Sequence, residues 1–160
     1  MSKPLHICVN YSEGLNYVER LRSVQERYPE GRLCALVPAG YPISATEKAL
    51  VDEVMEAEQA HYSPREFRAC WAHVRRIRAA RFDCFIVVFR SPQLRLLAAL
   101  SGAPRCECWG ADNEILPLSR SVPVALLARL LHAVRGRLVY ARVWMSVHLW
   151  PVHATKRPEV

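Results

Sequence analysis

The fold of this 160-residue chain is decided by the stretch Asp83–Phe89, which reads DCFIVVF. From Phe85 to Phe89 every side chain is apolar, without alternation between polar and apolar positions. A strand that is apolar on both faces belongs in the middle of a sheet that helices cover on both sides. The stretch therefore predicts an α/β protein in which this strand is central.

Three further short apolar stretches are predicted strands, and helical patterns separate them. The strands are expected at 5–9, 33–37 and 105–109, and the helices at 15–28, 44–59, 63–81 and 93–100. Connections of this length are too long for hairpins and indicate parallel strands with right-handed crossovers. We predict a single Rossmann-like three-layer α/β domain with about four parallel strands in the order 2-1-3-4.

Two capping boxes predict where helices begin. Ser44 and Glu47 form the first box, whose helix is expected to run to about Gln59 with Leu50, Val51, Val54 and Met55 buried. The second box is Ser63–Glu66, with Pro64 at the first helical position. Its helix is expected to turn Phe67, Cys70, Trp71, Val74 and Ile77 inward.

The cysteines and the start of the chain indicate a reducing compartment. The apolar run Leu5–Val9 is too short for a secretory signal, so we expect a cytoplasmic protein. Cys8, Cys34 and Cys84 lie in predicted strands and are interpreted as small buried hydrophobic residues. Cys106 and Cys108 are spaced too closely for a zinc knuckle, so we expect no metal. We also expect no cofactor.

The C-terminal part of the chain is apolar and basic. No Asp or Glu occurs from Ile115 to Pro158, and residues 81–160 carry +6 of the net charge of +7. This composition is typical of a segment that lies against an anionic surface, above all lipid headgroups. We divide the chain into an α/β domain at 1–116 and an amphipathic helical appendage at 117–160.

Within the appendage, a helix is expected from about Pro123, and Gly136 is expected to interrupt it. The following stretch, Leu138–Val152, is too short to span a membrane. Its residues 138–149 fit either a second helix or an alternating strand. The residues expected to contact a membrane or a partner chain are Arg129, Arg135, Arg137, Arg142, Trp144 and Trp150.

A second candidate site lies at the carboxyl ends of the predicted strands, where α/β sheets bind ligands. An anionic or sugar-nucleotide ligand could bind there to helix N-termini, guanidinium and polar groups. Ordinary helix capping explains several of the same residues. The candidates are Ser12, Glu13, Gly14, Arg90, Ser91, Asp112, Asn113 and Glu114.

Nucleotide-binding motifs are absent from the sequence, which contains neither GxGxxG nor GK[ST]. The arginines between Arg75 and Arg81 fit a solvated helix face, so we do not expect nucleic acid as a partner.

The stretch Val74–Arg105 resembles the N-terminal Rossmann-like half of GT-B glycosyltransferases of the lipopolysaccharide heptosyltransferase type. The resemblance lies in an Arg-rich helix end, in Phe82-Asp83 opening an apolar strand, and in a helix ending in Ser101-Gly102-Ala103. Such enzymes transfer sugars from nucleotide-sugar donors to lipid-linked acceptors at the inner face of the membrane. The Gly-Asp pair that the family has after its first strand is Gly14-Leu15 here, so the resemblance assigns no catalytic residue.

Three functions follow as expectations. The resemblance and the basic tail imply an accessory or split-half protein of envelope polysaccharide or glycolipid biosynthesis, peripheral on the inner face of the membrane and not catalytic alone. The first alternative is a soluble protein-interaction domain whose C-terminal helices form an oligomer interface. The second is a small enzyme that binds an anionic ligand at the strand ends.

Overall fold

The computed structural model describes residues 4–11, 16–57, 67–89, 91–110 and 114–149. Strands and helices alternate along these ranges. In chain order they are β1 (His6–Asn10), α1 (Tyr17–Arg27), β2 (Arg32–Pro38), α2 (Ala45–Leu50), β3 (Glu53–Ala57), α3 (Phe67–Ala79), β4 (Cys84–Val87), α4 (Pro92–Ser101), β5 (Arg105–Trp109), β6 (Ile115–Pro117) and α5 (Val122–Leu149).

The strands form one sheet of six strands in the order β3-β2-β1-β4-β5-β6. All neighbours pair in parallel except β5 and β6, which are antiparallel. The predicted α/β class is confirmed, and β1, β2, β4 and β5 correspond to the predicted strands. The predicted strand count and order are wrong for the whole sheet, because β3 and β6 extend it at its two edges.

The second half of the helix predicted at 44–59 is a strand. Ser44 caps α2 and forms the predicted capping box with Glu47, but the helix ends at Leu50. From Glu53 onward the side chains alternate, with Met55 and Ala57 buried and Val54 36% exposed. This half-buried strand pairs with the outer edge of β2. Pairing across the sheet therefore outweighs the helical spacing of four apolar residues.

The two faces of the sheet are covered as the fold class requires. On one face, Leu21 and Val24 of α1 pack with Ile7 and Ile86 of the sheet. On the other face, α3 and α4 contribute Val74, Ile77, Leu97 and Ala98 to a core that includes Phe85. The cysteines Cys8, Cys34 and Cys84 are buried in these cores, as predicted.

The inward face of α3 differs from the predicted one at Trp71, which is 43% exposed. His73, Val74 and Ile77 are buried instead. At 100° per residue these three positions define a face about 115° away from Trp71, which explains its exposure. The capping box at Ser63–Glu66 and the side chain of Phe67 lie outside the described part of the structure.

Helix α5 packs on the outer side of α4 through its first turns, where Ala125 contacts Leu96 and Ala99. It continues without a break through Gly136, so both the predicted interruption and the strand alternative for 138–149 are wrong. A single glycine costs a helix only about 1 kcal/mol relative to alanine, and its neighbours are good helix formers. The link from the sheet is fixed by hydrogen bonds from Leu118 N to Cys106 O (2.8 Å) and from Arg120 Nη1 to Pro104 O (3.1 Å).

Candidate functional site

The first candidate region is the carboxyl edge of the sheet. β1 and β4 are parallel neighbours, and Asn10 pairs with Val87 near their carboxyl ends. The chain proceeds from β1 to β2 and β3 on one side and from β4 to β5 on the other, so the connections reverse direction between β1 and β4. Such a reversal is where ligands bind in open α/β sheets.

Two of the predicted ligand residues at this edge are described. Ser91 is the N-cap of α4, and its Oγ accepts a hydrogen bond from Gln93 N at 3.3 Å. Glu114 is exposed, and its backbone oxygen accepts from Gly110 N at 2.8 Å. These contacts are those of a helix cap and a turn. The remaining candidates, Ser12, Glu13, Gly14, Arg90, Asp112 and Asn113, lie outside the described residues.

Three tyrosines that the sequence interpretation missed pack together beside this edge. The ring of Tyr11 lies 4.3 Å from that of Tyr41 and 5.1 Å from that of Tyr17, between centroids. Tyr17 donates a hydrogen bond to Val9 O at 2.9 Å. Burial raises the pKa of both Tyr17 and Tyr41, so these phenols stay protonated and serve as hydrogen-bond donors. The signal in the sequence was that Tyr11 and Tyr41 each follow a predicted strand.

Glu47 connects this aromatic cluster to α2. Its carboxylate accepts hydrogen bonds from Tyr41 OH (2.9 Å), Ser44 N (2.7 Å) and Ser44 Oγ (2.8 Å). Burial alone would raise the pKa of Glu47, but these hydrogen bonds outweigh it and lower the pKa below its usual value. A carboxylate held ionised by three donors is a structural anchor and a poor proton acceptor.

A second buried carboxylate belongs to Glu107 in the middle of β5. Glu107 is 8% exposed, and it accepts hydrogen bonds from Tyr28 OH and Trp109 Nε1, both at 3.0 Å. Tyr28 at the C-cap of α1 thereby joins α1 to β5, whereas Trp109 donates from within β5 itself. The contact between Tyr28 and Glu107 stabilises the packing of α1, and its only trace in the sequence is one acid in an apolar strand.

Burial makes the thiols of three cysteines unreactive. Burial raises the pKa of Cys8 and Cys106, and it raises that of Cys84 to about 12. The thiolate is the reactive form of cysteine, so these three side chains are inert at neutral pH. Within the described ranges, no three His, Cys, Asp or Glu side chains form a group that could hold a metal ion.

The second candidate region is the exposed part of α5. Every residue from Leu130 to Ser146 is exposed. Their apolar members include Leu131 at 59%, Leu138 at 65% and Tyr140 at 72% exposure. In a monomer a continuous apolar surface of this kind is typical of a binding site.

The residues of α5 that were predicted to contact a membrane or a partner differ in exposure. Arg135, Arg137, Arg142 and Trp144 are exposed, and Arg129 is half-buried. Trp150 lies outside the described residues. At 100° per residue Arg137 lies on the opposite side of the helix from Arg135 and Arg142, so cationic groups occupy more than one side.

Apolar residues also surround α5. Leu131 and Tyr140 are nine positions apart and therefore point in opposite directions. A helix that is apolar all round is typically buried in a larger core or in lipid. Along the part of the chain that the structure describes, no helix is long and apolar enough to span a bilayer.

No protein family, no curated protein and no solved structure matches this chain. The resemblance of Val74–Arg105 to GT-B glycosyltransferases therefore stays a prediction.

Proposed function

We propose that this protein binds an anionic lipid surface through the exposed part of α5 and holds its α/β body beside that surface. The observation that carries the proposal is the exposure of every residue from Leu130 to Ser146, most of which are apolar. Transfer of such side chains out of water is worth about 1.5–3 kcal/mol each when burial is complete. A few inserted residues are enough for reversible attachment.

The charge of α5 supports an anionic surface in particular. The helix carries four arginines and no Asp or Glu. Each cationic residue near an anionic membrane contributes about 1 kcal/mol, and salt screens that contribution. The apolar contribution is the larger of the two, so salt should weaken the attachment without abolishing it.

The competing explanation is that α5 binds a partner helix. The apolar residues on several sides of α5 favour lipid over a single partner helix. Leu127, Leu131, Val134, Leu138 and Met145 recur at the spacing of a coiled-coil contact line. A two-stranded coiled coil would leave the remaining sides of α5 in water. Those sides carry further exposed apolar residues, namely Leu126, Val139, Tyr140 and Val143. A lipid surface can cover more of the circumference than one helix can.

The finer part of the proposal is that the attached body is an accessory or split half of a glycosyltransferase for envelope polysaccharide or glycolipid. The resemblance of Val74–Arg105 supports it, and that stretch corresponds to the C-terminal half of α3 together with β4 and α4. We propose no catalytic residue. Without a partner, the chain should not hydrolyse a nucleotide sugar.

Vesicle flotation tests the attachment with the full chain. We expect it to float with vesicles of phosphatidylcholine and phosphatidylglycerol, and to bind pure phosphatidylcholine less tightly. The double change Leu131→Gln and Leu138→Gln should weaken binding roughly a hundredfold, because two exposed apolar anchors are lost. Folding should be unaffected, since both side chains are exposed.

A charge-matched pair of variants tests the electrostatic part. Replacing Arg135 and Arg142 by Gln should weaken binding to the anionic vesicles roughly thirtyfold. Replacing the exposed Arg22 and Arg75 by Gln removes the same charge from the body and should change little. Equal losses in both pairs would mean a non-specific charge effect. The lipid proposal is wrong if the protein does not float and forms a dimer that the changes at Leu131 and Leu138 dissociate. In that case α5 binds a partner chain.

A further inference from the structure

A small pocket of about 130 Å³ opens at the root of α5. It lies between α4, the link after β6 and the first turns of α5. Its walls are apolar at Leu118, Val124 and Ala128, and its polar side chains are those of Arg95 and Ser119. The volume corresponds to about four water molecules, which is enough for a phosphate group.

Arg95 in this pocket has an unused donor. Its Nε is buried and has no hydrogen-bond partner among the described residues. Within those residues, no ion pair joins its guanidinium to a carboxylate. Buried donors are nearly always paired, and one left unpaired destabilises the folded state. The Nε lies too deep for a bound ligand to reach, so an oxyanion in the pocket would meet the Nη groups of the same guanidinium, since Arg95 lines the pocket.

We propose that this pocket binds a phosphate ester through the guanidinium of Arg95. The Arg95 side chain would donate hydrogen bonds to phosphate oxygens, which is the chemistry that guanidinium groups serve best. Ser119 Oγ accepts a bond from Ser121 N at 3.2 Å, and a hydroxyl that accepts one bond can still donate another. No Asp or Glu lines the pocket, so nothing in its lining repels the anion.

The apolar walls indicate a phosphate that carries an apolar substituent. Val124 lines the pocket, is 53% exposed and lies less than two helical turns before the exposed stretch that begins at Leu130. A phospholipid headgroup would therefore meet the pocket where α5 enters the lipid surface. The choice of lipid as the source rests on the proposed function, whereas the phosphate site itself does not, since a free phosphate ester has the same chemistry.

Thermal unfolding of the full chain tests the phosphate site with inorganic phosphate and glycerol 3-phosphate as probes. We expect both to raise the Tm of the natural protein, with no such rise for Arg95→Met. Without a probe, Arg95→Met should unfold about 2–4 °C higher, because an unsatisfied buried donor has been removed. Arg22→Met on α1, which removes an exposed arginine, should keep the full response.

Flotation on phosphatidylglycerol vesicles distinguishes the two sources. A roughly tenfold loss of binding in Arg95→Met, unmatched by Arg22→Met, assigns the site to a lipid headgroup. A Tm response to glycerol 3-phosphate with unchanged flotation assigns it to a free phosphate ester. If Arg95→Met changes neither measurement, the phosphate site is wrong.

The same pair of measurements separates this site from the attachment by α5. If the natural protein does not float but its Tm rises with glycerol 3-phosphate, the phosphate site is supported and the proposed attachment through α5 is wrong. Should Arg95→Met fail to fold, Ser119→Ala provides the test, because Ser119 is exposed and its removal should lower the Tm response. An unchanged response in Ser119→Ala would then overturn the proposal.

Discussion

Helices α4 and α5 have similar compositions but very different surroundings. Both are rich in Leu and Ala, carry Arg and contain no acid. In α4, Leu96, Leu97, Ala98 and Ala99 are all buried, because the sheet lies on one side and α5 on the other. In α5, buried side chains are confined to Ala125 within the residues whose burial is described. Position in the layers, and not composition, decides whether such a helix is a core element or an exposed surface.

A matched pair of Leu→Ala changes should show the largest difference between the two helices. Leu97→Ala in α4 removes a side chain that is 4% exposed and should destabilise the protein by about 2–5 kcal/mol. Leu131→Ala in α5 removes one that is 59% exposed and should change stability by less than about 0.5 kcal/mol. Urea unfolding measures both. A large loss at Leu131 would mean that α5 is covered in the isolated protein.

In the α/β domain, the buried side chain of Glu47 stabilises the N-terminal end of α2. The variant Glu47→Gln tests this contact. Loss of the charged acceptor for Ser44 and Tyr41 should cost about 1–3 kcal/mol near neutral pH. The folded-state pKa of Glu47 is lowered, so its contribution is complete above the unfolded pKa and is lost as the pH falls toward the folded value.

The pH dependence supplies the control for that variant. Stability of the natural protein should fall as the pH drops below about 4.5, and the fall should be smaller in Glu47→Gln. Chemical unfolding at a series of pH values measures the difference. Parallel curves for the two proteins would show that Glu47 is not held ionised by its donors.

Two glycines give the smallest and most local contrast. Gly102 ends α4 with φ +76°, so Gly102→Ala should destabilise the protein by about 1 kcal/mol. Gly136 lies inside α5 with open space where a Cβ would stand, so Gly136→Ala should stabilise the helix by up to about 1 kcal/mol. Opposite shifts in Tm check the pair. A destabilising Gly136→Ala would contradict the continuous exposed helix.

The central part of the fold could be predicted because its signals are local. The apolar run Phe85–Phe89 and the cap at Ser91 each determine their element from a few neighbouring residues. The edge strands could not be predicted in this way. β3 spans five residues and β6 three, and each forms because a neighbouring strand offers an unpaired edge. That edge is a property of the folded sheet and leaves little trace in the sequence.

The candidate sites were predictable to different degrees for the same reason. The acid-free composition of α5 predicts a basic apolar surface, and three of its arginines, Arg135, Arg137 and Arg142, are exposed. The pocket at Arg95 was missed because it joins residues from α4 and from the root of α5, which are far apart in sequence. The cluster of Tyr11, Tyr17 and Tyr41 was missed because aromatic residues near strand ends have no fixed spacing.

The link at Leu118–Ser121 has a mechanical consequence. Leu118 and Arg120 donate hydrogen bonds to the backbone oxygens of Cys106 in β5 and of Pro104 just before it. Helix α5 then continues without a break from Val122 to Leu149. At 1.5 Å per residue, the exposed stretch from Leu130 to Ser146 is about 25 Å long, and α5 is fixed to the sheet only at its N-terminal end within the described residues. A lipid surface or a partner chain that binds this stretch would therefore also determine the orientation of the sheet relative to itself.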